Sequence, residues 1–521
     1  MSSSQQTVLI WVNLRKQQRL PLLLVSIVLC STLWLFGAAV QLDYLADDSY
    51  ILFRHVLQHS RGLGMIWDKW HPVQAHSSIA WAYLLRLGLY AGFPIEDSAR
   101  FFGPVFSVLA VLCFTQILWN RLNLPRLVLA LFCFVSFPPL VLWSSAGLET
   151  SLSLFLSLFF VSLLGAACET ETRSHKPFAQ LALGVLCGIV SPMIRPDLPL
   201  QLLCSVLCLF IFSPRSRRHL PVVVVSLFLG IVVYVAQNRL SFAADVAQPI
   251  ATKFRIEWQN PLRFARYVLT DAPQLLPMGL LLLWLLKKNW EQQVRRDPLL
   301  LLVIGLLAAL SIELCLLGGD ELSRGRFLCV PAACILIAMF RLLHTVRIAK
   351  GQRYGFLLSL FLLSCAQVGW ALHKEGDQPC STWRRAAGLW LATYTTSNFT
   401  IAVAPAGYIP YFSDRDTIDL MGLAHPKIGR LPLPRGSAIW GETATEIAIA
   451  EGVCAVLLVV CTSPETDPRQ WCEHPTLAGM VAALERHAEF GYFAVPIGSE
   501  PKLRLAVRKS CLPRIPTLLS Q

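Results

Sequence analysis

Five clusters of ionisable residues interrupt an otherwise apolar chain: Asp47-Asp48, Glu149 in a Gly-Leu-Glu-Thr run, Arg195-Pro196-Asp197, Lys253, and Asp320 with Arg326 in a glycine-rich run. An Asp or Ser ahead of Tyr50-Ile-Leu-Phe-Arg-His can cap a helix by accepting its orphan N–H groups, and a cap needs only one side chain. The second carboxylate, raised in pKa by its like-charged neighbour or by partial burial, can serve as a general base. Glu149 either marks an interface and starts the next helix or faces an aqueous cavity, because a carboxylate against lipid is costly. Arg195-Pro-Asp197 is either a Pro-bearing turn with a local ion pair or a place where Arg195 grips phosphate, which a guanidinium fork suits. Lys253, near Arg255, Arg263 and Arg266, belongs to a solvated face or neutralises a lipid phosphate. Gly318-Gly319 supply a tight re-entrant turn before Asp320, and Arg326 has the length to snorkel. His71 and His76 flank Pro72 outside any helical spacing, a weak metal signal.

The elements that must position these groups are membrane spans. The chain has 521 residues, 55% hydrophobic and 15% charged, with mean hydropathy +0.55. A soluble domain cannot hide that much apolar surface. With about 20 apolar residues per crossing, eleven spans can be drawn: 21–40, 101–119, 126–144, 150–167, 178–194, 197–213, 220–236, 273–286, 298–317, 327–343 and 354–373. The run after His76 carries Arg86 near its middle and reads as a helix lying at the membrane surface.

Charge orients the spans. Arg15, Lys16 and Arg19 precede the first, so residues 1–20 are expected in the cytoplasm. Every second loop is then basic, with Arg121, Lys176, Arg215 to Arg218, Lys287-Lys288, Arg295-Arg296 and the stretch from Arg341 to Arg353 on the same side. The acidic and paired motifs fall on the opposite side, beginning with an external loop at 41–100. The net charge of +13 is thereby absorbed by topology, and its scatter over short loops argues against nucleic acid. No Walker-type or dinucleotide motif stands between a strand and a helix. From Lys374 to Gln521 short strand-like runs alternate with helical ones, which predicts a small α/β domain. Five of the sixteen cysteines (Cys380, Cys454, Cys461, Cys472 and Cys511) fall there. One or two disulfides are expected in an oxidising exterior, with pairing open. The architecture is thus a polytopic α-helical membrane protein with a small extracytoplasmic α/β domain, its membrane part at 21–373 and the α/β part at 374–521.

The ordered runs DDSYILFRHVLQHSRGLGMIWD, GLET, RPD, GGDELSRGRFLCVP and AGYIPYFSDRDTIDLMGL resemble bacterial envelope glycosyltransferases of the GT-C class. The nearest resemblance is to mycobacterial-type terminal arabinofuranosyltransferases that use a polyprenyl-phosphate arabinose donor. The resemblance implies that Asp47, with Asp48 beside it, activates the acceptor hydroxyl. It also implies that Arg195, Lys253 and Arg326 hold the donor phosphate, and that Glu149, Asp197 and Asp320 line the site. Where the family usually has an acidic-Gly-Tyr-like run, this chain has Val73-Gln74-Ala75-His76, so His76 is a candidate for altered sugar or acceptor preference. The implied reaction inverts the anomeric centre, the implied partners are a polyprenyl-phosphate-linked sugar, an envelope glycan or glycolipid acceptor and membrane lipid, and the implied location is the bacterial inner membrane. No cofactor follows from the residues; a divalent cation at Asp47-Asp48 stays open. Two other function classes compete: a transporter or flippase of lipid-linked sugars, which would place charges near the bilayer midplane with repeat symmetry, and a non-catalytic envelope glycan-binding or assembly protein.

Overall fold

The computed structural model describes residues 45–515 except 69–72, 120, 170–175, 215–216, 218–219, 243, 245–246, 254–256, 320–323, 344–354, 356–378, 405, 459–474 and 496–502. The spans expected at 21–40 and 354–373 lie outside the described residues, as do Asp320 and His71.

The chain divides into two compact units. One comprises Ala99–Val232 and Ile256–Lys374; the other comprises Tyr44–Ser98, Val233–Arg255 and Glu375–Gln521. The α/β segment therefore shares its unit with two stretches from earlier in the chain, a grouping that hydropathy alone does not suggest.

The first unit is helical. Among the described residues, Ile95–Trp119, Thr150–Cys168, Leu220–Phe242, Pro298–Leu317 and Arg326–Leu343 are long and apolar enough to cross a membrane. The apolar helices Phe178–Ile194 and Leu198–Phe212 are shorter. One expected span is broken and another is joined to a preceding helix by a sharp bend. Residues 126–144 form Leu124–Val135 and then Pro138–Trp143, because Pro138-Pro139 removes two consecutive N–H donors and cannot continue the first helix. The stretch at 273–286 becomes Leu275–Asn289, preceded by Asn260–Asp271 at an angle of 110°, with Pro273 in the break. Helices Leu198–Phe212 and Pro298–Leu317 pack closely. A Cβ at Gly305 would overlap the backbone at Cys204 and Ser205, and Ser205 Oγ donates to the Leu302 carbonyl at 2.6 Å. Small residues and hydroxyl bonds of this kind let apolar helices approach where no hydrophobic effect drives them together.

The last basic stretch departs from expectation at its first residue. Arg341, read above as a loop charge, lies inside the helix Cys329–Leu343 at 4% exposure and pairs with Asp297 at 2.6 Å.

The second unit holds a five-stranded sheet: β1 (Ile401–Val403), β2 (Thr417–Asp419), β3 (Ala455–Leu457), β4 (Phe490–Val495) and β5 (Leu503–Arg508). The strand order is β2-β1-β3-β5-β4, parallel at β2-β1 and β1-β3 and antiparallel at β3-β5 and β5-β4. Side chains alternate across it, as strand geometry demands. Ile401, Val403, Leu505 and Val507 pack against Trp383 and Leu391 of the helix Pro379–Tyr394. Ala402, Val456 and Ala506 face Trp440 and Met480 from the helices Ala438–Ala450 and Pro475–Glu485. Cys454 and Cys511 form a disulfide. The helix Ile79–Tyr90, with Arg86 bonded to His59 and Tyr90, has 12 residues, about 18 Å, too short to cross a bilayer.

Candidate functional site

Asp47 opens the helix Asp47–Ser60. Its Oδ2 accepts from the Gly407 N–H at 3.0 Å and its Oδ1 from the Tyr408 N–H at 3.2 Å; the Arg384 guanidinium stands 3.4 Å away. The two elements are locked by a buried cation: Arg54, 2% exposed, donates to the carbonyls of Trp67, Pro410 and Arg415. A Cβ at Gly407 would overlap the Asp47 main chain, so only glycine permits this approach. That explains why a DDSY run and an AGYIP run some 360 residues apart belong together. The carboxylate makes no cap bond to its own helix, whose N-cap is Ala46; it takes the N–H groups at the start of Tyr408–Ser413 instead. Burial raises its pKa above the ordinary Asp value; Arg384 and the Tyr408 N–H oppose this without cancelling it, and Asp48 adds to it. Such a group is a stronger base than a solvated Asp.

His76 lies in the same compact unit as Asp47. It is 5% exposed, with its ring edge-on to His55 at 4.7 Å. Burial, then the neighbouring His55, hold its pKa well below the usual His value, which leaves a neutral packing ring. Among the described residues no group of three His, Cys, Asp or Glu side chains is arranged to hold a metal. Lys253 ends the helix Gln248–Lys253.

The first unit gathers four of the named residues. Arg195 and Asp197 lie in the break between the helices Lys176–Ile194 and Leu198–Phe212. The Arg195 fork grips Asp197 at 2.9–3.2 Å and reaches Glu149, 2% exposed, at 3.6 Å. Arg195 and Arg326 each lie 4.6 Å from the centre of the Phe327 ring, and Arg326 also covers Trp143 at 5.6 Å. Cation–π contacts and carboxylates together hold two guanidinium groups near each other. The loop that presents Arg326 is clamped by the bent helix: Asp271 accepts from the Gly325 N–H at 2.7 Å, and the Tyr267 hydroxyl accepts from the Phe327 N–H at 3.2 Å. Gly318, Gly319 and Gly325 all have positive φ, the tight turn expected of that run.

Arg195, Asp197, Arg326 and Phe327 line a small, partly open cleft together with Thr150, Ser153, Gln201, Leu310, Glu313, Leu314, Cys329 and Val330. Sequence reading passed over Gln201 and Glu313. The signal was present: Glu313 is the one acidic residue within Pro298–Leu317, and a carboxylate inside a span is a functional hypothesis by default. With two cations, two carboxyl groups and an apolar wall, the cleft presents an amphipathic ligand with charge, hydrogen-bonding groups and apolar surface.

Comparison with known proteins places this geometry in context. Residues 375–495 match a family described as a domain of unknown function (DUF8728). A terminal beta-(1->2)-arabinofuranosyltransferase of Mycobacterium tuberculosis is 27% identical over 222 residues, covering 38% of this chain and 35% of that protein, so the chain spans about a third of that relative's length. Among solved structures, ArnT from Cupriavidus metallidurans bound to undecaprenyl phosphate aligns with TM-score 0.56 and 11% identity over 92% of this chain and 97% of its own. The archaeal oligosaccharyltransferase AglB from Archaeoglobus fulgidus, in complex with an inhibitory peptide and a dolichol-phosphate, aligns with TM-score 0.54 and 13% identity over 94% and 74%. Arabinofuranosyltransferase AftD from Mycobacteria aligns with TM-score 0.51 and 12% identity over 92% and 40%. The fold is GT-C. The chain has the apolar helices of a membrane protein and resembles mycobacterial arabinofuranosyltransferases.

Proposed function

We propose that this chain is a membrane glycosyltransferase that moves a sugar, in the first instance arabinofuranose, from a polyprenyl-phosphate donor to an envelope glycan or lipid acceptor. The observation that carries the reading is the pair Arg195 and Arg326 stacked on Phe327 in a cleft at the ends of membrane helices, in a fold shared with a protein solved with undecaprenyl phosphate.

In this reading Asp47, its pKa raised by burial, removes the proton from the acceptor hydroxyl as the oxygen attacks the anomeric carbon. The bond from that carbon to the phosphate oxygen breaks, and the anomeric configuration inverts. Charge builds on the leaving phosphate, where Arg326, Arg195 and Lys253 stabilise it. Asp48 sits beside the base; Glu149 and Asp197 keep Arg195 in place. The disulfide between Cys454 and Cys511 favours an oxidising, extracytoplasmic location for the α/β segment, with the N-terminus in the cytoplasm of the inner membrane.

The test is transfer by the purified full chain from synthetic polyprenyl-phosphate arabinofuranose to a glycan acceptor, with product anomer read by NMR. Inverted product formed by the wild type and lost in D47N supports the reading; a wild type that transfers no sugar from any polyprenyl-phosphate donor ends it.

A further inference from the structure

One carboxylate in the cleft has no part in the reaction just described. Glu313 lies inside the apolar helix Pro298–Leu317, where an acidic side chain is retained only against a strong energetic preference. It is held by Gln201, itself 5% exposed. The single nitrogen Nε2 of Gln201 donates to Glu313 Oε2 at 2.7 Å and to Asp197 Oδ2 at 2.9 Å. Both hydrogens of that amide are thereby used, and two carboxyl groups, one from the Arg195–Asp197 break and one from the helix Pro298–Leu317, are fixed side by side. Asp197 is already filled by Arg195 and Gln201 and is hydrogen-bonded to Glu313, so the accepting capacity left over in the cleft is on the Glu313 carboxyl. The buried Thr150 hydroxyl, 8% exposed on the cleft wall, has no hydrogen-bond partner. Leu310, Leu314, Phe327 and Val330 make the rest of the wall apolar.

A phosphate does not suit this corner, because the Asp197 carboxylate would repel it and the Glu313 oxygens beside it offer it no donor cluster. A ligand that does suit it brings several O–H donors on a compact ring with apolar C–H faces. That is a sugar. We infer that Glu313, oriented by Gln201 and assisted by Thr150, is a specificity-determining residue that accepts hydrogen bonds from the hydroxyls of the donor sugar, while the phosphate lies toward Arg326. This rests on the reading that the donor is a lipid-linked sugar.

The competing explanation is that the Gln201–Glu313 bond only ties two membrane helices together. E313Q separates the two, because glutamine keeps a polar contact to Gln201 but replaces the second carboxyl oxygen by an NH2 group and so loses half of the accepting capacity. The experiment measures kcat and KM of the full-length wild type, E313Q and T150V with polyprenyl-phosphate pentofuranose and polyprenyl-phosphate hexopyranose, alongside their melting temperatures. The inference expects wild-type melting behaviour for E313Q, a rise of about 10- to 100-fold in donor KM with a smaller change in kcat, and collapse of the ratio of kcat/KM between the two donors. T150V should move the same ratio in the same direction by less. Unchanged KM and ratio with a lowered melting temperature in E313Q would assign the pair to helix packing and overturn the inference while leaving the glycosyltransferase reading intact. A wild type that turns over neither donor would overturn both.

Discussion

Arg341 Nη2 stands 2.6 Å from Asp297 Oδ2, with Arg341 4% exposed. Asp297 simultaneously caps the helix Pro298–Leu317 by accepting from the Leu300 N–H at 3.1 Å. Arg341 also donates to the Ile117 carbonyl at 2.9 Å, so one guanidinium ties three segments. Removing one partner of a buried pair strands the other, which costs about 3–5 kcal/mol. R341M should therefore lower the melting temperature in detergent sharply, and the double variant D297N/R341M should recover part of the loss. Equal melting temperatures for R341M and wild type would mean the pair is inert.

In the proposed reaction D47N should reduce transfer by about 10²- to 10⁴-fold, and D48N by much less. The base must be ionised to act. With its pKa raised by burial, kcat/KM should fall on the acid side at a pH above the ordinary Asp range. A pH–rate profile on the wild type measures this, and an acid limb at the position of a solvated Asp would count against Asp47.

Asp271 acts on Arg326 at one remove. D271A strips the acceptor from the Gly325 N–H and frees the loop, a loss of about 1.5–3 kcal/mol for a charge-assisted bond. The expected sign is at least a tenfold rise in donor KM with kcat little changed, and D271N, which keeps an accepting oxygen, should sit between. Initial-rate kinetics with the polyprenyl-phosphate donor decide it.

Asp419 is fully buried in the sheet, accepting from Met421 and Ala424 N–H groups at 2.8 Å, and burial still raises its pKa to about 6 from 3.8. A carboxyl raised in the folded state stabilises most when protonated. Its contribution is complete below pH 3.8 and lost as pH rises through about 6, a swing of about 3 kcal/mol. Melting curves of the full chain should show this fall between pH 4 and 6, and D419N should remove it.

The Cys454–Cys511 bridge closes a separation of 57 residues, which in the chain-entropy account is worth about 4 kcal/mol. The variant C454S/C511S, or wild type held in reductant, should melt at lower temperature. Near-identical melting with and without reductant would show that the bridge is not formed in the purified protein.

Much of this molecule was legible from residue order. The long apolar runs at 101–119, 150–167 and 298–317 are helices because hydropathy and helical propensity are local properties. The runs at Ile401, Val456 and Leu503 are strands for the same reason. The break at Pro138-Pro139 was also written locally, yet an apolar window averages over it. Asp47 and the Arg195–Asp197 pair stood out by being charged where neighbours are not.

What residue order alone determined, then, is the long apolar helices, the alternating strands and helices near the end of the chain and the acidic and basic motifs between apolar runs, because each depends on neighbours within a turn or two. The tertiary structure alone decided that Gln201 meets Glu313 across 112 positions, that Arg341 finds Asp297 across 44, and that Gly407 receives the Asp47 carboxylate across 360. Such partners are chosen by helix packing and close backbone approach, and no local pattern in the chain encodes which distant donor will satisfy a buried charge.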